Sequence, residues 1–155
     1  MLASSELVAV FPAFDYKITQ KEGKLFIFDG IGKKYRLLTP EEWVRQHCLN
    51  YLTQHLSYPA SNIQIERSHK IDQLNRRTDI QVFDSTGQVF MLIECKAPHV
   101  EITSVTFQQA CQYQKKNLAK YLVLTNGQEN HIYQIDSNKQ EAIKLAQFPS
   151  YYENN

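Results

Sequence analysis

The sequence predicts an α/β domain in which helices flank a mixed sheet, with a core in the order α-β-β-β-α-β and an N-terminal β-hairpin. Three observations predict it. Val89–Ile93 and Tyr121–Leu124 are unbroken apolar runs, the pattern of strands covered on both faces. Two segments with helical spacing, 40–56 and 104–118, precede and separate those runs, so the second helix reads as a crossover between parallel strands, with right-handed connection expected. Turn residues at Asp29-Gly30-Ile31-Gly32, Asp84–Gln88 and Asn126-Gly127 punctuate the chain.

Residues before Gly23 have no clean period and stay unassigned, although Leu7–Phe11 could add an edge strand. Lys24–Phe28 and Lys34–Leu37 read as short strands around the Asp29–Gly32 turn. The glycines of that turn lack the full phosphate-loop pattern and the helix that must follow it. The first helix opens with Thr39 as N-cap and Pro40 at its first position. It runs to about Leu56 with Trp43, Val44, Cys48, Leu49 and Leu52 on an apolar face. After a loop at 57–62, Ile63–Ile71 alternates as a strand carrying Glu66.

Residues 77–96 then read as a hairpin, and Ala97-Pro98 ends its second strand. The second helix, from Ser104 to about Leu118, turns Val105, Ala110, Cys111 and Leu118 inward. Past the Asn126-Gly127 turn, His131–Ile135 pairs back, Ala142–Leu145 follows, and the polar tail from Gln147 is expected to fray. No repeat or linker divides the chain. One domain over 1–155 is expected, with its core at about 35–135 and with 1–23 and 147–155 peripheral.

Composition suits a compact fold. At 155 residues and 43% hydrophobic, the chain can bury about two thirds of its unfolded surface, enough for one core. Pro12 and Asp15 interrupt the early apolar stretch and no basic segment precedes it, so neither a signal peptide nor a membrane span is expected, and the cytoplasm is the expected location. Three cysteines, Cys48, Cys95 and Cys111, are an odd number without C-x-x-C spacing, which argues against a disulfide framework or a structural zinc site. Five histidines are likewise scattered. His99, nearest to the hairpin, reads as solvated.

The chemistry lies in the hairpin. Glu94 and Lys96 share one strand face while Ile93 and Cys95 take the other, and a turn at Asp84–Gln88 carries Asp79 back beside Glu94. Two carboxylates and a lysine converge. Magnesium takes oxygen ligands, keeps waters and uses one or two carboxylates plus substrate phosphate oxygens, so Asp79 and Glu94 suit Mg²⁺, with Mn²⁺ as a substitute. Lys96 would orient the attacking water or stabilise charge on the phosphorane, with a pKa lowered by desolvation. The alternative is a surface ion pair, which any isolated Glu-x-Lys favours. A charged pair closing a buried strand weighs against that alternative.

Arg-x-Asp, a turn, and then Leu92-Ile93-Glu94-Cys95-Lys96-Ala97-Pro98 resembles the PD-(D/E)XK nuclease superfamily. Within it, the similarity is to the N-terminal nuclease domain of type I restriction enzyme R subunits. Leu38–Gln46 looks like the family's first helix, whose glutamate often completes the metal site; Glu42 is the matching position and Glu41 the second choice. Gln109-Ala110-Cys111-Gln112-Tyr113 resembles its Q-x-x-x-Y helix element, and Leu124-Thr125-Asn126-Gly127 its Thr-Asn-Gly strand end. The similarity spans about 35–135. It implies a restriction-endonuclease-like fold and an Mg²⁺-dependent endodeoxyribonuclease connected with restriction or anti-phage defence. In that scheme Asp79, Glu94, Lys96 and Glu42 are catalytic, Asp79 and Glu94 hold the metal, and Gln109, Tyr113 and Arg77 contact substrate or order the site.

Each added role has a plainer rival. Thr39-x-x-Glu42 is also a capping box, which needs no metal. Gln109 and Tyr113 are also an ordinary i, i+4 packing pair. A net charge of +1 gives little long-range attraction to a polyanion, so DNA must be met by local patches such as Lys33, Lys34 and Arg36, Arg67, Lys70, Arg76 and Arg77, or Lys115, Lys116 and Lys120. The residues contain no P-loop, so either the domain works alone on DNA or a separate subunit supplies targeting or motor function, with a homodimer as a further arrangement. A non-catalytic nucleic-acid-binding or assembly module that retains the nuclease fold is the competing function.

Overall fold

The computed structural model describes residues 10–65 and 79–153, with the backbone alone at 109 and 112–117. Expectations for Leu7–Phe11, for the strand beyond Ile65, and for Glu66, Arg67, Lys70, Arg76 and Arg77 fall wholly or partly outside these residues.

Two sheets form. Strands β1 (Ile18–Lys21), β2 (Lys24–Asp29) and β3 (Lys34–Leu37) make an antiparallel sheet in that order. Sequence pattern alone leaves β1 unassigned, because its four residues are all exposed and carry no burial signal. The second sheet runs β4 (Ile63–Ile65), β5 (Ile80–Phe83), β6 (Val89–Cys95), β7 (Tyr121–Thr125), β8 (Asn130–Asp136) and β9 (Glu141–Leu145). Its β6–β7 pair is parallel and the other pairs are antiparallel. The molecule is thus a mixed α/β structure with a restriction-endonuclease-like arrangement.

Helix α1 (Pro40–Asn50) and helix α2 (Ser104–Asn117) cover opposite faces of the large sheet. Side-chain alternation explains how. In β7, Tyr121 and Val123 join the core under α1, while Leu122 and Leu124 join the one beside Ala110 and Phe107 of α2. Both central strands therefore have no exposed face, which is why their sequences do not alternate.

Three expectations need correction. Helix α1 stops at Asn50 and continues as a π-helical turn, Tyr51–His55, whose wider ladder ends with Leu56 N–H bonded to the Tyr51 carbonyl. On α2, Ala110 is buried, but Val105 in its first turn and Leu118, just past its last residue, are exposed. The tail does not fray. Phe148 and Tyr151 are buried in the main core, the Tyr151 hydroxyl donates to the Phe83 carbonyl at 2.9 Å, and Tyr58 donates to the Pro149 carbonyl. Aromatic rings outweigh the polar residues around them. Cys48 and Cys95 are buried, Cys111 is half-buried, and none of the three is joined in a disulfide.

Candidate active site

The hairpin turn sets the register. Asp84 Oδ1 accepts hydrogen bonds from the amides of Thr86 and Gln88, at 2.9 Å each, and from the Thr86 hydroxyl at 2.7 Å. Gly87 supplies the positive φ that the turn needs. With that turn closed, Ile80 pairs with Ile93, and one further step of the ladder brings Asp79 opposite Glu94.

Asp79 is pinned by backbone. Its Oδ2 accepts from the Cys95 amide at 2.7 Å, and its Oδ1 lies 3.5 Å from Arg45 Nη1 of α1. Burial pushes the Asp79 carboxyl up to about 7. The negative charges of Glu41 and Glu94 add to that effect, against the opposing pull of the Cys95 amide and Arg45.

Glu94 and Lys96 meet directly, Oε1 to Nζ, at 2.8 Å, both partly shielded from water. This reverses the expected shift of Lys96. Burial alone would lower its pKa, but the hydrogen bond that it donates to Glu94 and the charges of Glu94, Glu41 and Asp79 hold it above the ordinary lysine value. The strand end is fixed from the other side by β7. Lys96 N–H donates to the Thr125 carbonyl at 2.8 Å, and Asn126 Nδ2 holds the Val100 carbonyl at 2.9 Å. Asn126 Oδ1 meanwhile receives the amides of Gln128 and Glu129. The Thr125-Asn126-Gly127 segment therefore shapes the loop that follows Lys96.

The two helix glutamates part company. Glu42 is buried and its carboxylate is committed to protein, bonded to Arg45 Nη2 and to Gln46 Nε2 (2.9 Å), with Arg36 Nε 4.0 Å away. Half of the capping box forms, since the Glu42 amide donates to Thr39 Oγ1 at 3.0 Å, while the Thr39 amide bonds the Leu37 carbonyl instead of the glutamate. Glu41 is exposed, one position earlier, and its charge reaches both Asp79 and Lys96. Glu42, the first choice from the sequence, is thus held by protein partners, while the charge of the exposed Glu41 acts on the hairpin groups.

Arg45 escapes sequence reasoning. It links Glu42 to Asp79 from the same helix, and the signal available is its spacing three and four residues after two glutamates. Gln109 and Tyr113 lie on α2, but their side chains are outside the described residues, as is Arg77. His99 is exposed, and Arg36 is half-buried and paired with Asp29 at 2.6 Å rather than free for phosphate.

Residues 40–149 match a family described as the type I restriction enzyme R protein N terminus. The chain belongs to this family. Membership associates it with restriction, and the matched segment contains the whole hairpin, both helices and the large sheet. No curated protein is similar enough to the chain to count as a match. Among the described residues, no helix is long and apolar enough to cross a membrane.

Proposed function

We propose that this member of the restriction family is a metal-dependent nuclease domain that hydrolyses DNA phosphodiester bonds. The observation that carries the reading is the gathering of Asp79, Glu94, Lys96 and Glu41 at one end of the β5–β6 hairpin.

The donor set fits a hard cation. Asp79 and Glu94 offer carboxylate oxygens only, and among the described residues no three His, Cys, Asp or Glu groups form a ready cage. Magnesium suits such a site, since it retains waters and takes one or two protein carboxylates. Burial is the main reason the Asp79 carboxyl is raised, with the charges of Glu41 and Glu94 adding to it, and a divalent ion would offset both. Bound by Asp79 and Glu94, Mg²⁺ or Mn²⁺ supplies Lewis-acid polarisation of the scissile phosphate.

The chain's own groups do the rest. Cys95 N–H fixes one oxygen of Asp79, leaving the other turned towards Arg45 and the open side. Lys96, kept as an ammonium by Glu94, donates to water or to a phosphate oxygen gaining charge, rather than taking a proton as a base. Glu41 lies in the field of both groups and can accept hydrogen bonds from waters around the cation. Glu42 acts behind it, by holding Arg45.

Plasmid DNA with Mg²⁺ or Mn²⁺ tests the reading. Wild type should nick it, and Asp79→Ala and Lys96→Ala should each lose at least a hundredfold in rate, the loss seen when one charge-stabilising group is removed. Absence of cleavage, or equal cleavage by the variants, would leave a non-catalytic assembly module as the function. The close Glu94–Lys96 ion pair, which already satisfies both groups, favours that second reading.

A further inference from the structure

The small sheet has one face that the nuclease reading does not use. Register pairs place Thr19, Lys21, Lys24, Phe26, Phe28, Tyr35 and Leu37 on it, since Phe26 opposes Thr19 and Leu37 and Phe28 opposes Tyr35. Lys17 joins them, its Nζ 5.9 Å from the centre of the Phe28 ring. Tyr35 and Leu37 are each nearly half exposed, at 46% and 47%, and the lysines are exposed too. Large apolar and aromatic groups left open to water on a lysine-bearing sheet call for an occupant.

The charge pattern says which kind. None of the strand residues on this face is acidic, and among the described residues Lys17, Lys21 and Lys24 form no ion pair. Lys21 and Lys24 sit directly opposite each other across the β1–β2 pair. Like charges in register are unfavourable, and an anion lying over them removes the penalty. Glu22, in the turn between them, is the nearest acid in sequence. The opposite face carries buried Ile27 and the Asp29–Arg36 ion pair, with Ile18 and Leu25 exposed towards its β1 side but no lysine among its β1 and β2 residues.

We propose that this face binds single-stranded nucleic acid, its lysines meeting the phosphates and Phe28 and Tyr35 stacking on bases. Phe28 and Tyr35 meet edge to face, their ring centres 5.3 Å apart and their planes at 63°, and an exposed ring beside cations suits unpaired bases, whose faces are free, better than a duplex, whose bases are stacked on each other. The face runs into a recess of about 360 Å³ between the sheet and α1, walled by Lys17 and Phe28 on one side and by the side chains of Asn50, Thr53 and Gln54 on the other. Its size and its amide groups suit one base read at its edge. Asp15 also lines the recess and repels a phosphate there, which leaves the phosphates to the open sheet. The surface needs neither a cation nor cleavage, so it stands or falls separately from the nuclease assignment.

Fluorescence anisotropy of labelled oligothymidylate, in EDTA to prevent hydrolysis, tests it. Wild type should bind the single strand more tightly than a duplex of equal length. Lys21→Glu/Lys24→Glu should weaken binding at least tenfold, and Lys21→Gln/Lys24→Gln should lower the slope of log K against log salt by about 1.4, at about 0.7 for each phosphate that a lysine no longer neutralises. Tyr35→Ala should cost about tenfold through weaker stacking. Unchanged thermal midpoints and unchanged Mg²⁺ calorimetry would show that the variants are folded and that the hairpin site is intact. No binding by wild type, a preference for duplex, or variants that bind as well as wild type would each overturn the proposal.

Discussion

Arg45 reaches from α1 to Asp79, Nη1 to Oδ1 at 3.5 Å, while its Nη2 is bonded to the buried Glu42. One guanidinium therefore neutralises a carboxylate in the helix and steadies another at the start of a strand 34 residues away. Removing it strands both.

Arg45→Ala should lower stability by about 3 kcal/mol, the low end for breaking a buried pair, because Arg36 at 4.0 Å still faces Glu42. Adding Glu42→Gln should recover part of the loss, since no buried charge is then left alone. Urea unfolding of the single and double variants measures both effects. A double variant no more stable than Arg45→Ala would contradict the linkage.

Asp79 should make the metal-free protein less stable as pH rises. Its folded pKa of about 7 lies above the ordinary carboxylate value of 3.8, so the unfolded chain gives up the proton first. The contribution of Asp79 is most favourable below about pH 4 and declines between about 4 and 7. Above that range the full penalty applies, on the order of 4 kcal/mol at about 1.4 kcal/mol per pKa unit. Asp79→Asn should flatten this part of the stability curve, read by thermal unfolding in EDTA between pH 4 and 8. A curve unchanged by the substitution would refute the assignment.

His47 should act with the opposite sign. It is buried against Phe14 and Trp43, with ring centres 4.8 and 4.4 Å apart, and its Nδ1 must donate to the Trp43 carbonyl. Burial lowers its pKa below the ordinary value of 6.5, so the unfolded state takes up the proton first and stability falls as pH drops through about 6.5. Replacing it, as in His47→Gln, should remove that acid limb. Denaturant midpoints at pH 7 and pH 5 would show the difference.

Tyr151 anchors the tail. Tyr151→Ala should cost about 3–5 kcal/mol, as for other large aromatic truncations in a core. Tyr151→Phe, which deletes the hydroxyl that donates to the Phe83 carbonyl, should cost about 1 kcal/mol. Limited proteolysis should cut after Gln147 faster in the alanine variant. Equal rates of cutting would mean that the tail is not held by this ring.

The hairpin is legible in the sequence because everything that forms it lies within twenty residues. Asp84 and Gly87 specify the turn, strand alternation specifies the faces, and together they bring Asp79 opposite Glu94 with Lys96 alongside. The parallel β6–β7 pair is legible for a similar reason, since runs without alternation leave no exposed face. Strand β1 is not. Its exposed residues satisfy only a hydrogen-bond ladder, and ladders are written in no side chain.

By itself, then, the sequence determined the order of elements from β2 onward, the mixed α/β class, and the trio at the hairpin's open end. Only the tertiary structure decided that Glu42 is buried and bonded to Arg45 and Gln46, that Arg45 joins helix to strand, and that Phe148 and Tyr151 hold the tail in the core. The physical reason is the range of the forces. Turn chemistry and strand alternation act between near neighbours, whereas the rotation of α1 about its axis is set by Trp43, Val44, Cys48 and Leu52 packing on strands that come later in the chain. One helical position turns a side chain by about 100°, enough to separate the buried Glu42, bonded to Arg45, from its exposed neighbour Glu41.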